Sequence, residues 1–194
     1  MFNSSIMNFG KVGECHIITG CMFSGKSSET CKRVKKYQLL DKNVCIFNHC
    51  LDDNRYKEGC ISTHDNINLP CISISNFDKI KDENKYDYNN VDVIVIEEAQ
   101  FFGEDIVDFV KTAVEIDNKI VIITGLDGDS ERINFGNIYK LIPFCESYKK
   151  LHALCLKCKN GTKASFTKCL VDKSSQILIS SKDFIPVCRY HYLN

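Results

Sequence analysis

Apolar residues in this chain fall in short runs separated by longer polar stretches, and the runs carry two different periods. Cys15, Ile17 and Ile18 open the series, and Asn43–Asn48 (NVCIFN), Val91–Ile96 (VDVIVI) and Lys119–Thr124 (KIVIIT) follow as compact apolar segments. Runs of this length without alternation predict strands buried on both faces. Leu69–Ile74 predicts one further short strand. Between the runs the spacing changes. Residues 26–41 place Val34, Tyr37 and the Leu39-Leu40 pair on one stripe of a polar, basic segment. Residues 104–118 keep Ile106, Phe109, Val110, Ala113 and Val114 on one face, with Glu104 and Asp105 in the first turn. Both predict amphipathic helices. His49–Asp65 reads as a long polar loop, and residues 78–90, charged and rich in Asn, as a partial helix running into an exposed turn. Strands alternating with helices predict a parallel α/β sheet.

The first strand runs directly into Gly20-Cys21-Met22-Phe23-Ser24-Gly25-Lys26-Ser27, which matches the phosphate-binding pattern G-x-x-x-x-G-K-[ST]. The context is the one this chemistry needs. A strand delivers the chain to a turn whose backbone N–H groups converge on phosphate oxygens, and a helix begins behind it with its positive end toward the anion. Lys26 then reaches the terminal phosphates, and the Ser27 hydroxyl is available to magnesium. A chance match in a Gly-containing turn would not bring the strand and the helix with it.

A second constellation sits where VDVIVI ends in Glu97-Glu98. In nucleotide-binding α/β proteins an acid at such a strand end stands beside the metal of the phosphate loop. Adjacent carboxylates point different ways, so one can serve the metal shell while the other accepts a proton from an attacking hydroxyl. The plain alternative is two solvated acids at a strand end.

Charge and composition narrow the partners. Lys+Arg and Asp+Glu both number 25 in 194 residues, for a net charge of zero. That balance provides no electrostatic footprint for nucleic acid or an anionic membrane. No apolar stretch approaches the roughly 18 residues of a membrane span. The N-terminal residues 1–12 lack a basic start and apolar core, so they read as a tail rather than a secretory signal, and the chain as cytoplasmic. Its 12 cysteines are then reduced thiols. Cys15, Cys45 and Cys145 sit among apolar residues as core filler. Cys155-x-x-Cys158 and Cys188-x-x-His191 differ, because two knuckles of this spacing supply a closed tetrahedral set for structural zinc. A redox pair is disfavoured, since the Cys-x-x-Cys does not open a βα unit.

Taken in order, GCMFSGKSS, DDNRY, STHD, EEAQFF, LDGD with NFG, and the two knuckles resemble the cytosolic, zinc-containing type of thymidine kinase, from about Gly13 to Tyr192. The resemblance implies a RecA-like P-loop sheet with flanking helices over 13–150. It also implies a small zinc-ribbon-like domain over 151–194, carrying a lasso loop at roughly Thr162–Phe184. The implied activity is ATP-dependent phosphorylation of the 5′-hydroxyl of thymidine, with deoxyuridine often accepted. A homotetramer, inhibition by thymidine triphosphate, and a need for Mg2+ and structural zinc come with it. Residue by residue, the resemblance makes Glu98 the general base and Gly20–Ser27 the donor-phosphate loop. Asp53 and Arg55 stand near the reacting phosphates, and Ser27 and Glu97 on the magnesium. Met22, Glu98, Gln100, Phe101, Phe135, Thr167 and Phe184 fall on the nucleoside side.

The chain departs from the family pattern in places. Glu97 stands where the family usually has Asp, Cys21 where it has Pro, and Ser28 where it has Thr. On the base side, Ser130 replaces a stacking aromatic, Cys169 an Arg, Phe184 a Tyr, and Ser180-Ser181 a Gly pair. A rival reading is a P-loop ATPase whose zinc module binds nucleic acid or protein, against which the neutral charge weighs. A third is a nucleotide-binding protein that has lost catalysis, prompted by Glu97 and Ser130.

Overall fold

The computed structural model describes residues 12–52, 60–62, 68–78, 80, 86–171, 176–177 and 182–194. Six strands make the central sheet: β1 (Glu14–Gly20), β2 (Val44–His49), β5 (Ile72–Ile74), β6 (Val93–Ile96), β7 (Ile120–Gly125) and β8 (Ser147–Leu151). They lie in the order β5-β2-β6-β7-β1-β8, and every pairing among them is parallel. Helices α1 (Lys26–Gln38) and α2 (Asp105–Glu115) cover opposite faces.

The alternation of side chains along a strand explains the two cores. On one face Ile17, Ile94, Ile96, Val121 and Ile123 pack against Ile106, Phe109, Val110 and Ala113 of α2. On the other, Ile18, Val93, Val95 and Ile122 meet Cys31 and Val34 of α1. All four residues of β6 are fully buried, as an apolar run flanked on both faces requires. Each such side chain contributes about 1.5–3 kcal/mol by leaving water. Cys15 is buried in the first core, with Cys45 and Cys145 half-buried against it.

One local expectation is corrected and another refined. Leu69–Ile74 is two strands and not one: β4 (Asn68–Pro70) pairs antiparallel with β3 (Cys60–Ser62), whereas β5 joins the central sheet. Pro70 has no N–H to continue a ladder, and the chain changes partner at Cys71. The end of 78–90 is a turn at Tyr88–Asn90 that exposes Asp87, Asn89 and Asn90 as expected but buries Tyr88. Its hydroxyl donates to Asp117 Oδ2 at 2.7 Å, and Lys119 Nζ lies 4.6 Å above its ring.

Beyond β8 the chain builds a small lobe. β9 (Ala153–Leu154) pairs with β10 (Lys163–Ala164), and β11 (Phe166–Cys169) with β12 (Phe184–Val187), before the short helix α3 (Arg189–Leu193). Strands therefore occupy the first part of the stretch read as lasso, and the connection between β11 and β12 runs from 170 to 183. Cys21 of the phosphate loop packs into this lobe's core with Ala153, Cys155, Ala164 and Val187. That contact seats the lobe directly on the loop.

Candidate active site

The loop Gly20–Gly25 leaves β1 at the carboxyl edge of the sheet, where open α/β sheets bind ligands. Gly20 is required by close approach, since a Cβ there would stand 2.6 Å from the carbonyl oxygen of Leu151 and 2.6 Å from Ser24 Oγ. Phe23 takes a left-handed conformation (φ 63°), and the Ser24 N–H donates to the Cys21 carbonyl at 3.3 Å. The turn is thus closed on itself before α1 starts at Lys26. Lys26 Nζ donates to the Cys21 carbonyl at 3.2 Å, folding back over the loop it would serve. Ser27 occupies the first turn of α1.

The two acids at the end of β6 diverge. Glu97 is 3% exposed and turns toward α1 and β7. Burial pushes its carboxyl up to about 7, opposed by the Thr30 hydroxyl, raised further by Glu98, and opposed again by Lys26 and Thr124. Its Oε1 is buried without a hydrogen-bond partner among the described residues. An orphaned carboxylate oxygen beside the phosphate-loop lysine fits a place in a magnesium shell. Glu98 takes the left-handed conformation (φ 49°, ψ 42°), which turns it away from its neighbour. Gln100 Nε2 donates to Glu98 Oε2 at 2.5 Å, and Gln100 Oε1 accepts the Leu126 N–H at 2.9 Å.

Next to these groups lies a narrow cleft that admits water-sized groups over about 30 Å³. Met22, Phe101, Phe135, Thr167 and Phe184 line it, five of the residues assigned to the nucleoside side. Phe101 and Phe135 meet edge to face at 5.7 Å. The Met22 N–H donates to Thr167 Oγ1 at 3.0 Å, joining the phosphate loop to β11. Glu98 and Gln100 are not among the cleft's lining residues; Gln100 lies behind, bonded to Glu98. Asp53 and Arg55, with residues 63–65 of the STHD run and Ser180-Ser181, lie outside the described residues.

Three further residues contribute to the site, two of them, Leu126 and Asp129, within the LDGD run. Leu126 lines the cleft and anchors Gln100 through its N–H. Asp129 accepts the N–H groups of Glu131 at 2.8 Å and Ile133 at 2.9 Å on Oδ1, and Gln176 Nε2 at 2.8 Å on Oδ2. Gln176, from the β11–β12 connection, lines the cleft as well. The LDGD signature contained Asp129, but nothing in the pattern around Gln176 marks it. Ser130, noted for the aromatic it replaces, does line the cleft.

In the lobe, Cys155, Cys158, Cys188 and His191 offer ligand atoms all within 4.8 Å of one another. His191 Nδ1 is 3.6 Å from Cys155 Sγ, 3.3 Å from Cys158 Sγ and 3.5 Å from Cys188 Sγ, and the last two sulfurs are 3.7 Å apart. A tetrahedron with metal–sulfur bonds near 2.3 Å and a metal–nitrogen bond near 2.0 Å has edges of about 3.5–3.8 Å. The donor set therefore fits zinc in both chemistry and spacing. Burial raises the Cys155 thiol, yet the backbone amides of Cys188, Cys158 and Lys157 hold it below its ordinary value, while burial and Cys155 push the neighbouring Cys158 thiol up. No helix among the described residues is long and apolar enough to cross a membrane.

The sequence of the chain is similar to those of known proteins over most of its length. The family model described as thymidine kinase matches residues 13–192. A thymidine kinase of Oryza sativa subsp. japonica is 39% identical over 185 residues, covering 94% of this chain and 67% of the relative. That of Fowlpox virus is 40% identical over 181 residues, covering 91% and 95%. That of Mesoplasma florum is 35% identical over 181 residues, covering 89% and 87%. With phosphate loop, paired acids, apolar cleft and Cys₃His cluster in one order and one place, the chain belongs to the thymidine kinase family.

Proposed function

We propose that this protein transfers the γ-phosphoryl group of ATP to the 5′-hydroxyl of thymidine, with deoxyuridine as the nearest alternative acceptor. The observation that carries the reading is the double membership of Met22. It belongs to the phosphate loop and also lines the apolar cleft, so donor and acceptor sites share a wall. Phosphoryl transfer needs little covalent help and depends on such juxtaposition.

In this reading residues 13–150 hold the nucleotide, and 151–194 form the metal-stapled lobe that completes the acceptor cleft. The loop amides and Lys26 bind the donor phosphates and oppose charge growing on the transferred group. Ser27 and Glu97 would hold magnesium, which would supply positive charge to offset that of the donor phosphates. Zinc on Cys155, Cys158, Cys188 and His191 is structural, because four protein ligands leave no open position. Glu98 accepts the proton of the 5′-hydroxyl, and Gln100 fixes its direction. Phe101, Phe135 and Phe184 hold the base and sugar in apolar surroundings. A cytoplasmic homotetramer restrained by thymidine triphosphate is the assembly and control that accompany this activity in the resemblance.

The test is a radiometric panel with labelled ATP and thymidine, deoxyuridine, deoxycytidine and deoxyguanosine. Label is expected in thymidine monophosphate first and deoxyuridine monophosphate second, with no ATP turnover in the absence of nucleoside. Turnover of ATP that ignores added nucleoside would favour an ATPase instead.

A further inference from the structure

The cleft wall at Ser130 belongs to a compact turn. The Asp129 N–H donates to the Ile133 carbonyl at 3.0 Å, and the Arg132 N–H to the Asp129 carbonyl at 3.1 Å. Arg132 is held left-handed at φ 65°, a conformation that costs a residue with a Cβ about 1 kcal/mol or more. The turn's own bonds from Asp129 hold that geometry, and α3 adds contacts from outside it. Tyr192 OH donates to the Ser130 carbonyl at 2.7 Å, and the Arg132 guanidinium lies 4.3 Å above the Tyr192 ring.

Tyr192 is itself fixed from behind. Its ring packs on Phe166 at 5.4 Å, and its N–H donates to the Cys188 carbonyl at 2.9 Å. Lys168 Nζ donates to the carbonyls of His191 at 3.0 Å and Tyr192 at 3.4 Å. Phe166 immediately precedes Thr167, the residue that binds the Met22 N–H. One tyrosine therefore spans from the metal-bearing end of the chain to two sides of the cleft.

We infer that Tyr192 is a positioning residue for nucleoside binding, setting the Ser130 wall of the cleft through its phenol hydroxyl and its stack with Arg132. The inference rests on reading the cleft as the nucleoside site. It concerns pre-organisation, so loss of the contact weakens acceptor binding and leaves the transfer step intact.

The test compares Tyr192→Phe, Arg132→Gln and Phe101→Ala with the parent protein, all in full-length, zinc-loaded form. Tyr192→Phe keeps the ring and is expected to raise the thymidine KM roughly three- to ten-fold, the range of one hydrogen bond. Its kcat, ATP KM and zinc content should stay within about two-fold of the parent, since no donor-side group is touched. Arg132→Gln alters an exposed side chain, so it reports even if the tyrosine variant does not fold, and a rise of about two- to five-fold is expected. Parent-like thymidine KM in these variants, with Phe101→Ala raising it, would leave the cleft assignment standing and overturn the role of Tyr192. Parent-like KM in all three would remove the cleft assignment and the inference together.

Discussion

Gln100 Nε2 donates to Glu98 Oε2 at 2.5 Å while Gln100 Oε1 takes the Leu126 N–H at 2.9 Å, so one amide ties the proposed base to the end of β7. Gln100 is 2% exposed, and this amide cannot rotate without breaking both bonds. A carboxylate that must meet a hydroxyl in one direction is held here by a side chain with no freedom of its own.

Gln100→Leu keeps the volume and removes both bonds. The stranded Leu126 N–H should lower stability by about 1–3 kcal/mol. Because Glu98 then samples other directions, kcat should fall by roughly 10–100-fold. Denaturant titration with steady-state kinetics checks both, and an unchanged kcat would detach Gln100 from the chemistry.

Gly136 shows why the NFG signature ends in glycine. Its φ is +66°, and a Cβ would stand 2.3 Å from the Gln100 carbonyl oxygen and 2.7 Å from Gln100 Cα. Gly136→Ala must displace the backbone that carries Gln100. A loss of about 2–4 kcal/mol is expected from strain and overlap, with a drop in kcat resembling that of Gln100→Leu. A variant as stable as the parent would contradict the tightness of this contact.

The contrast between these residues and others explains what the sequence could disclose. The phosphate loop, the acid pair and the two knuckles were legible because their chemistry demands fixed spacing within one segment. The inner strands were legible for a related reason, since a strand such as Val93–Ile96 is covered on both faces and carries no polar interruption, whereas β8 (SYKKL) has three exposed residues and no apolar run. Asp129 and Gln176 meet across 47 positions, and no local pattern encodes such a partner. Tyr88 is the exception in its turn, one buried ring in an otherwise charged, Asn-rich stretch that gives no sign of it. The split at Cys71 depended on Pro70 ending a ladder whose partner strand lies elsewhere in the chain.

Zinc should be present at about one equivalent per chain. Chelation should lower the thermal midpoint and disorder the lobe, because metal binding and folding of such a site are coupled. The thymidine KM is expected to rise with it, as Thr167 and Phe184 leave the cleft. Elemental analysis finding no zinc in protein with an ordered C-terminal lobe would remove the metal from the account.

Ser130 puts a small side chain on the cleft wall, at a position where the resemblance implies a stacking aromatic. Stacking on a base is worth about 1–3 kcal/mol, so Ser130→Phe or Ser130→Tyr should lower the thymidine KM. The backbone carbonyl held by Tyr192 is retained in both variants. A raised or unchanged KM would mean that the existing rings already supply the contact.

The central claim is that Glu98 is the general base and Glu97 the metal-side acid, and the two diverge as that division requires. Glu98→Gln preserves shape and removes basicity. Its kcat should fall by roughly 10²–10⁴-fold, the usual worth of a positioned base, while the ATP dissociation constant hardly changes. Measuring kcat and ATP affinity for Glu98→Gln beside Glu97→Gln is the most direct test. The account predicts a Glu98→Gln protein that binds ATP normally and barely turns over. A fully active Glu98→Gln with an inactive Glu97→Gln would contradict it and reverse the two roles.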